Sequence, residues 1–160
     1  MTDKRSDLPV AARLFDEGGH LLLEGVPHAQ ALGFELVEVR RNHATVKVPY
    51  RDELIGNPDT GVIHGGVVTS LLDNTSGIAV VCALADPVPI ATLDLRIDYM
   101  RPARPHTDIL AHAHCYRVTR SIAFVRGTAY EDSEDDPLAT SHAAFMLRTN
   151  GSGTGGKADS

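Results

Sequence analysis

Residues 64–84 read HGGVVTSLLDNTSGIAVVCAL, and the fold is decided there. Val67, Val68, Leu71, Leu72, Ile78, Val80, Val81 and Leu84 spread around most of a 3.6-residue turn. A helix that is apolar on most sides is buried. The spacing predicts one long helix from Gly65 to Leu84, stopped by Asp86-Pro87, because proline cannot extend the hydrogen-bond ladder. A single charge, Asp73, interrupts the run about two turns in. Helical spacing sets it on a stripe with Gly66, Thr69, Ser70, Ser76 and Gly77, all small, which suits one wall of a narrow pocket. A solvated face ordinarily carries several long charged residues. A lone aspartate points instead to a functional carboxylate.

Outward from this helix the period changes. Upstream, Phe34 to Val39 and Thr45 to Pro49 alternate as two strands joined by a tight turn, with a phase slip between Leu36 and Val37 that predicts a bulge. Residues 51–63, rich in Gly, Asn, Pro and Asp, read as a loop. Downstream, four extended stretches are expected near 89–102, 107–119, 121–132 and 137–149. The first alternates Leu93, Leu95, Ile97 and Tyr99 against Thr92, Asp94, Arg96 and Asp98. The acidic run Glu131 to Asp136 reads as a solvated hairpin turn. Before the first strand, Ser6 or Asp7 can cap a helix, and a second helical piece runs from Leu21 to Leu32, kinked at Pro27 and ended by Gly33. The expected layout is α+β, a curved and mainly antiparallel sheet wrapped around one central helix. Residues 1–33 form an N-terminal helical segment, 34–149 the main domain and 150–160 a disordered Gly/Ser-rich tail. One sheet layer cannot cover such a helix alone, so a second subunit is expected.

Composition narrows the function classes. A length of 160 residues suits one domain, and 42% hydrophobic with 22% charged residues is ordinary for a globular chain. A net charge of −6 disfavours general nucleic-acid binding, which needs clustered Lys and Arg. No unbroken apolar run reaches the ~18–20 residues of a membrane span, and Met1 to Arg13 lacks the apolar core of a signal peptide. Cys82 and Cys115 fall in apolar runs and read as buried, reduced thiols, consistent with the cytoplasm. His112 and His114 share a strand face with Asp108, but Asp108 is ~13 Å of strand from His112, too far to share a metal. Neither a metal nor a separate cofactor is expected.

HGGVVTSLLDNTSG, then TLDLRIDYMRPA, then YRVTRSIAFVRGTAYED, resemble the hotdog-fold thioesterases over residues 28–149. Within that family the chain is similar to the group associated with phenylacetate degradation (PaaI-like) and to thioesterase superfamily member 2. The resemblance implies hydrolysis of acyl- or aryl-CoA thioesters. It gives Asp73 the role of general base, or of nucleophile. The Gly65 N–H would polarise the thioester carbonyl, and His64 would orient the loop or touch the thioester. Asn57 would lie near the attacking water, although its spacing to His64 is one residue longer than the family's. Thr92, where a serine is more usual, would help hold that water. The site would straddle a homodimer, with Asp73 facing Gly65 of the other subunit, and the dimer would pair again into a tetramer.

The residue types fit this chemistry. A carboxylate is ionised at neutral pH and accepts protons, and a helix N-terminus stabilises a carbonyl oxygen gaining negative charge. Gly66 lets substrate approach the backbone. Arg120, Ser121 and Arg101, at strand ends, are the candidate contacts for coenzyme A phosphates. Two other readings remain at this point: a hotdog dehydratase or hydratase of 3-hydroxyacyl thioesters using His64 and Asp73, and a non-catalytic acyl-CoA-binding module.

Overall fold

The computed structural model describes residues 21–86 and 88–148. Short helices α1 (Leu21–Glu24) and α2 (Pro27–Leu32) precede strands β1 (Glu35–Arg40) and β2 (His43–Val48). A 3-10 turn at Asp52–Leu54 leads into a small ladder of β3 (Ile55–Asn57) with β4 (Val62–Ile63). The long helix α3 (Gly65–Ala83) follows, then β5 (Ile90–Tyr99), β6 (Ile109–Val118), β7 (Ile122–Tyr130) and β8 (Ala139–Leu147). The expected break at Pro27 is present, and Gly33 closes α2 in the left-handed conformation, φ 72°. The helix expected near Ser6 and Asp7 and the tail 150–160 lie outside the described residues. The 51–63 segment, read as a loop, instead holds the 3-10 turn and the β3–β4 ladder; runs this short carry too few residues for a periodic signal.

The main sheet has the order β1-β2-β6-β7-β8-β5, antiparallel throughout. α3 packs against its inner face, chiefly on β2, β6 and β7. Inward positions of the central strands are small: Ala111, Ala113 and Cys115 on β6, Val125 and Ala129 on β7. They meet Leu71, Leu72 and Val80 of the helix, all fully buried. Gly127 marks the tightest approach, since a Cβ there would lie 2.5 Å from Ser141 Oγ and 3.2 Å from a Leu72 methyl. By length and composition α3 is long and apolar enough to cross a membrane, although Thr, Ser, Asp and Gly break its apolar run. Here it is the core helix, with ten buried residues.

Three bulges interrupt the main sheet: Tyr116 is the extra residue in β6, and the other two set side-chain directions that the sequence reading addressed. In β1, Leu36 pairs with Val46 but Glu38 with Thr45, so Val37 is the extra residue, as the phase slip predicts. In β5, Thr92 pairs with Phe145 and Asp94 with Ala144, so Leu93 is extra. This corrects the simple alternation, which set Thr92 on the face of Asp94 and Arg96. The bulge turns Thr92 to the inner face, beside buried Phe145 and toward α3.

The acidic turn also differs from expectation. Glu131 points inward with its side chain 0% exposed, bound at 3.0 Å by both Arg101 and Arg104 and at 2.5 Å by the Arg104 backbone N–H. Arg101 further engages Asp136 at 3.1 Å and Arg104 engages Asp132 at 2.6 Å. Two guanidinium groups compensate the buried carboxylate, which sequence proximity alone does not reveal. Removing it deletes hydrogen bonds from both arginines and the Arg104 backbone to one buried carboxylate, while Asp136 and Asp132 still hold the arginines, at a cost of about 2–4 kcal/mol. Glu131→Ala is therefore expected to lower the melting temperature by roughly 6–16 °C at neutral pH, read by calorimetry. A shift within a degree of wild type would contradict the clamp.

Candidate active site

The start of α3 is held on several sides. His64 is its N-cap, with φ −61° and ψ 135°, and its Nδ1 accepts the Gly66 N–H at 2.9 Å. The His64 carbonyl accepts the Val67 N–H at 2.9 Å, and its own N–H donates to the Leu54 carbonyl at 2.9 Å. A Cβ at Gly56 would lie 2.9 Å from His64 Cα, so that glycine admits the cap residue at close range. With Gly66 and Val67 engaged, the Gly65 N–H has no hydrogen-bond partner among the described residues. It is a free donor at the positive end of a 19-residue helix. Tyr99, at the end of β5, donates its hydroxyl to the Gly65 carbonyl at 2.7 Å and lies 2.7 Å from Thr69 Oγ1. Sequence reading missed Tyr99 and Gly56. The tyrosine's signals were its place in an alternating strand and in the TLDLRIDYMRPA stretch, neither of which gives it a role, and the contact joins residues 34 apart.

Asp73 lies half-buried midway along α3, where Thr92 Oγ1 donates to its Oδ1 at 2.9 Å. The Leu93 bulge makes this contact possible. Asp73 and Thr92 open onto a cleft of about 250 Å³ between α3 and β5, with Asn74, Gly77, Ile78, Val81, Ile90 and Phe145 among its walls. A second cavity of about 350 Å³ lies beside the helix start, lined by His28, Glu53, Leu54, His64, Gly66 and Ser70 among others. The expected small-residue stripe is narrower than drawn: Ser76 is fully buried, and Gly66, Ser70, Asp73, Asn74 and Gly77 face the cavities.

Gly65 and Asp73 stand eight residues apart on one helix, or ~12 Å along its axis. Serving one carbonyl group from a single copy would require bridging most of that length.

The other expected residues scatter. Asn57 spends its side-chain carbonyl on the Asp59 N–H at 3.0 Å, and its backbone carbonyl accepts from Thr60 and Gly61. It stabilises the 57–61 turn. Gly66 has its N–H committed to His64. Arg101, expected at a phosphate, is committed to Glu131 and Asp136. Arg120 is exposed at the β6–β7 turn with no partner among the described residues, and Ser121 anchors that turn by accepting the Leu147 N–H at 2.8 Å. Burial pushes the thiol of Cys82 up to about 12 and that of Cys115 to about 11, so both are inert packing groups. His112 hydrogen-bonds Glu134 at 2.9 Å and His43 at 3.0 Å on the outer sheet face. Among the described residues no group of three His, Cys, Asp or Glu is arranged to hold a metal.

Comparison with known proteins places this geometry. The thioesterase superfamily model matches residues 60–137, from the turn before α3 to the β7–β8 connection. The medium/long-chain acyl-CoA thioesterase YigI of Salmonella typhimurium is 30% identical over 142 residues, covering 81% of this chain and 90% of that protein. A Pseudomonas aeruginosa protein of solved structure is 45% identical, with a TM-score of 0.74 over 81% of this chain and 96% of its own. The PaaI protein of the Escherichia coli phenylacetic acid degradation operon, at 17% identity and TM-score 0.72 over 83% of this chain and 92% of its own, shares the fold. The family model spans the long helix and strands β5 to β7, the full-length relatives extend the likeness to most of the chain, and the chain belongs to the thioesterase superfamily as a hotdog-fold thioester hydrolase.

Proposed function

We propose that the protein hydrolyses acyl-CoA thioesters to a free acid and coenzyme A, with Asp73 as general base. The observation that carries this reading is the 2.9 Å hydrogen bond from Thr92 to Asp73, which fixes a lone carboxylate at the mouth of an apolar cleft. Its second oxygen is left to take a proton from water. That water attacks the thioester carbonyl carbon. The carbonyl electrons move to oxygen, where the Gly65 N–H of a second copy stabilises them. Collapse of the tetrahedral intermediate breaks the C–S bond, and the proton held by Asp73 passes to the departing thiolate. His64 and Tyr99 act as positioning residues, holding the helix start from its two sides. Arg120 is the phosphate contact best supported, being free where Arg101 is not.

The ~12 Å between Gly65 and Asp73 supports a homodimeric site, itself able to pair into a tetramer. Reduced, buried Cys82 and Cys115 favour a cytoplasmic setting. Every step is assigned to a side chain, a backbone group or water, so the scheme needs no cofactor. Thiol release from a panel of acetyl-, hexanoyl-, lauroyl-, benzoyl- and phenylacetyl-CoA tests the reading. Saturable release from at least one is expected. A panel with no release above the buffer rate would end the hydrolase assignment in favour of a binding module.

A further inference from the structure

Gly77 stands in the interior of α3, one turn beyond Asp73, where glycine costs a helix more than any residue except proline. Close packing does not require it. Its backbone is not left-handed, and a Cβ there would meet Ile90 Cδ1 at 3.6 Å and Phe145 Cε1 at 3.7 Å, ordinary contact distances. Alanine therefore fits and would stabilise the helix, so the absence of a side chain calls for another reason. The missing atoms lie in the cleft that begins at Asp73 and Thr92. Beside Asn74, whose carboxamide oxygen is buried without a hydrogen-bond partner, its remaining walls are Val26, Ile78, Val81, Ile90 and Phe145. Asn74 can satisfy one amide N–H of a pantetheine arm, but the arm's other amide and hydroxyl groups would be desolvated against these apolar side chains. A hydrocarbon would not. The cavity at the helix start offers His28, Glu53, His64 and Ser70 instead. At about 250 Å³ the cleft falls below the ~300–1,000 Å³ typical of sites for drug-sized ligands.

We infer that the cleft between α3 and β5 receives the acyl portion of the substrate, a short or medium aliphatic chain or a single ring, and that Gly77 is the residue that keeps it open and sets its size limit. The inference deepens the thioesterase reading and rests on it for the identity of the ligand. Its test needs no hydrolysis, so the two can fail separately.

Non-hydrolysable S-ethyl-CoA and S-hexyl-CoA thioethers are titrated calorimetrically into wild type, Gly77→Ala and Gly77→Val. Each buried methylene adds about fourfold to affinity, so wild type is expected to prefer hexyl by at least about tenfold. Gly77→Val is expected to cut that preference at least about fivefold, and Gly77→Ala by less. Gly77→Ala should also melt roughly 2–4 °C higher than wild type, the gain of replacing a helical glycine. Equal weakening of both ligands by Gly77→Val, or an unchanged preference, would overturn the inference. So would a lower melting temperature for Gly77→Ala, which would make Gly77 a packing requirement. Loss of the oligomer in Gly77→Val, with no change in preference, would reassign it to the contact between copies.

Discussion

Asp73→Ala lowers kcat/KM for the best thioester by about a hundredfold to ten-thousandfold, the range of a positioned general base. The substitution should not unfold the protein. Alanine is the best helix former, Asp73 is only half-buried, and Thr92 is exposed enough to exchange its lost partner for water. Asp73→Asn sharpens the result. The amide oxygen still accepts the Thr92 hydroxyl, so the local bond survives while proton acceptance is lost. Activity should fall as far as with alanine. Thr92→Val removes only the bond that orients the carboxylate, and a loss of about tenfold is expected, near the worth of one hydrogen bond to a charged group. Free thiol release across the series, with circular dichroism to establish folding, provides the check. An Asp73→Asn enzyme within threefold of wild type would show that the carboxylate orders the cleft without taking a proton.

The helix and the carboxylate were legible because their signals are local. Eight apolar residues at helical spacing require a buried helix whatever surrounds them, and one aspartate among them needs a reason. The same holds for the β1 bulge, where the phase slip is written in consecutive residues. The β5 bulge was illegible because Leu93, Leu95, Ile97 and Tyr99 alternate without a fault. Only the pairing with β8 reveals that Thr92 has changed face. The importance of Thr92 therefore came from family resemblance, and its mechanism from the structure. Long-range charge pairing failed in the same way: Arg101 and Glu131 lie thirty residues apart, and each alone reads as a solvated turn residue. Tyr99 and Gly56 matter through what they touch, and a sequence records no touching.

The proposed division of the site between two copies of the chain allows a test with an all-or-nothing character. Gly65→Pro is expected to abolish turnover by about a hundredfold to a thousandfold, the loss seen when one oxyanion donor is deleted. The backbone tolerates this change. Gly65 is the first residue of α3, where proline is favoured, and His64 already holds the extended conformation that a following proline demands. A Cβ at Gly65 would meet the Tyr99 hydroxyl and ring at 3.7–3.8 Å, ordinary contact distances. Gly65→Ala, which fits the same space and keeps the N–H, should stay within about fivefold of wild type, so the pair isolates the donor from the bulk. Mixing follows from the geometry. In a dimer that combines an Asp73→Ala copy with a Gly65→Pro copy, one site carries both defects and the other carries none. Random reassortment makes half the dimers mixed, and activity should return to roughly a quarter of wild type. Neither parent alone can do this. Were both groups to serve the same carbonyl from one chain, across ~12 Å of helix, mixing would restore nothing. Refolding the two variants together and assaying thiol release decides between a shared site and a private one.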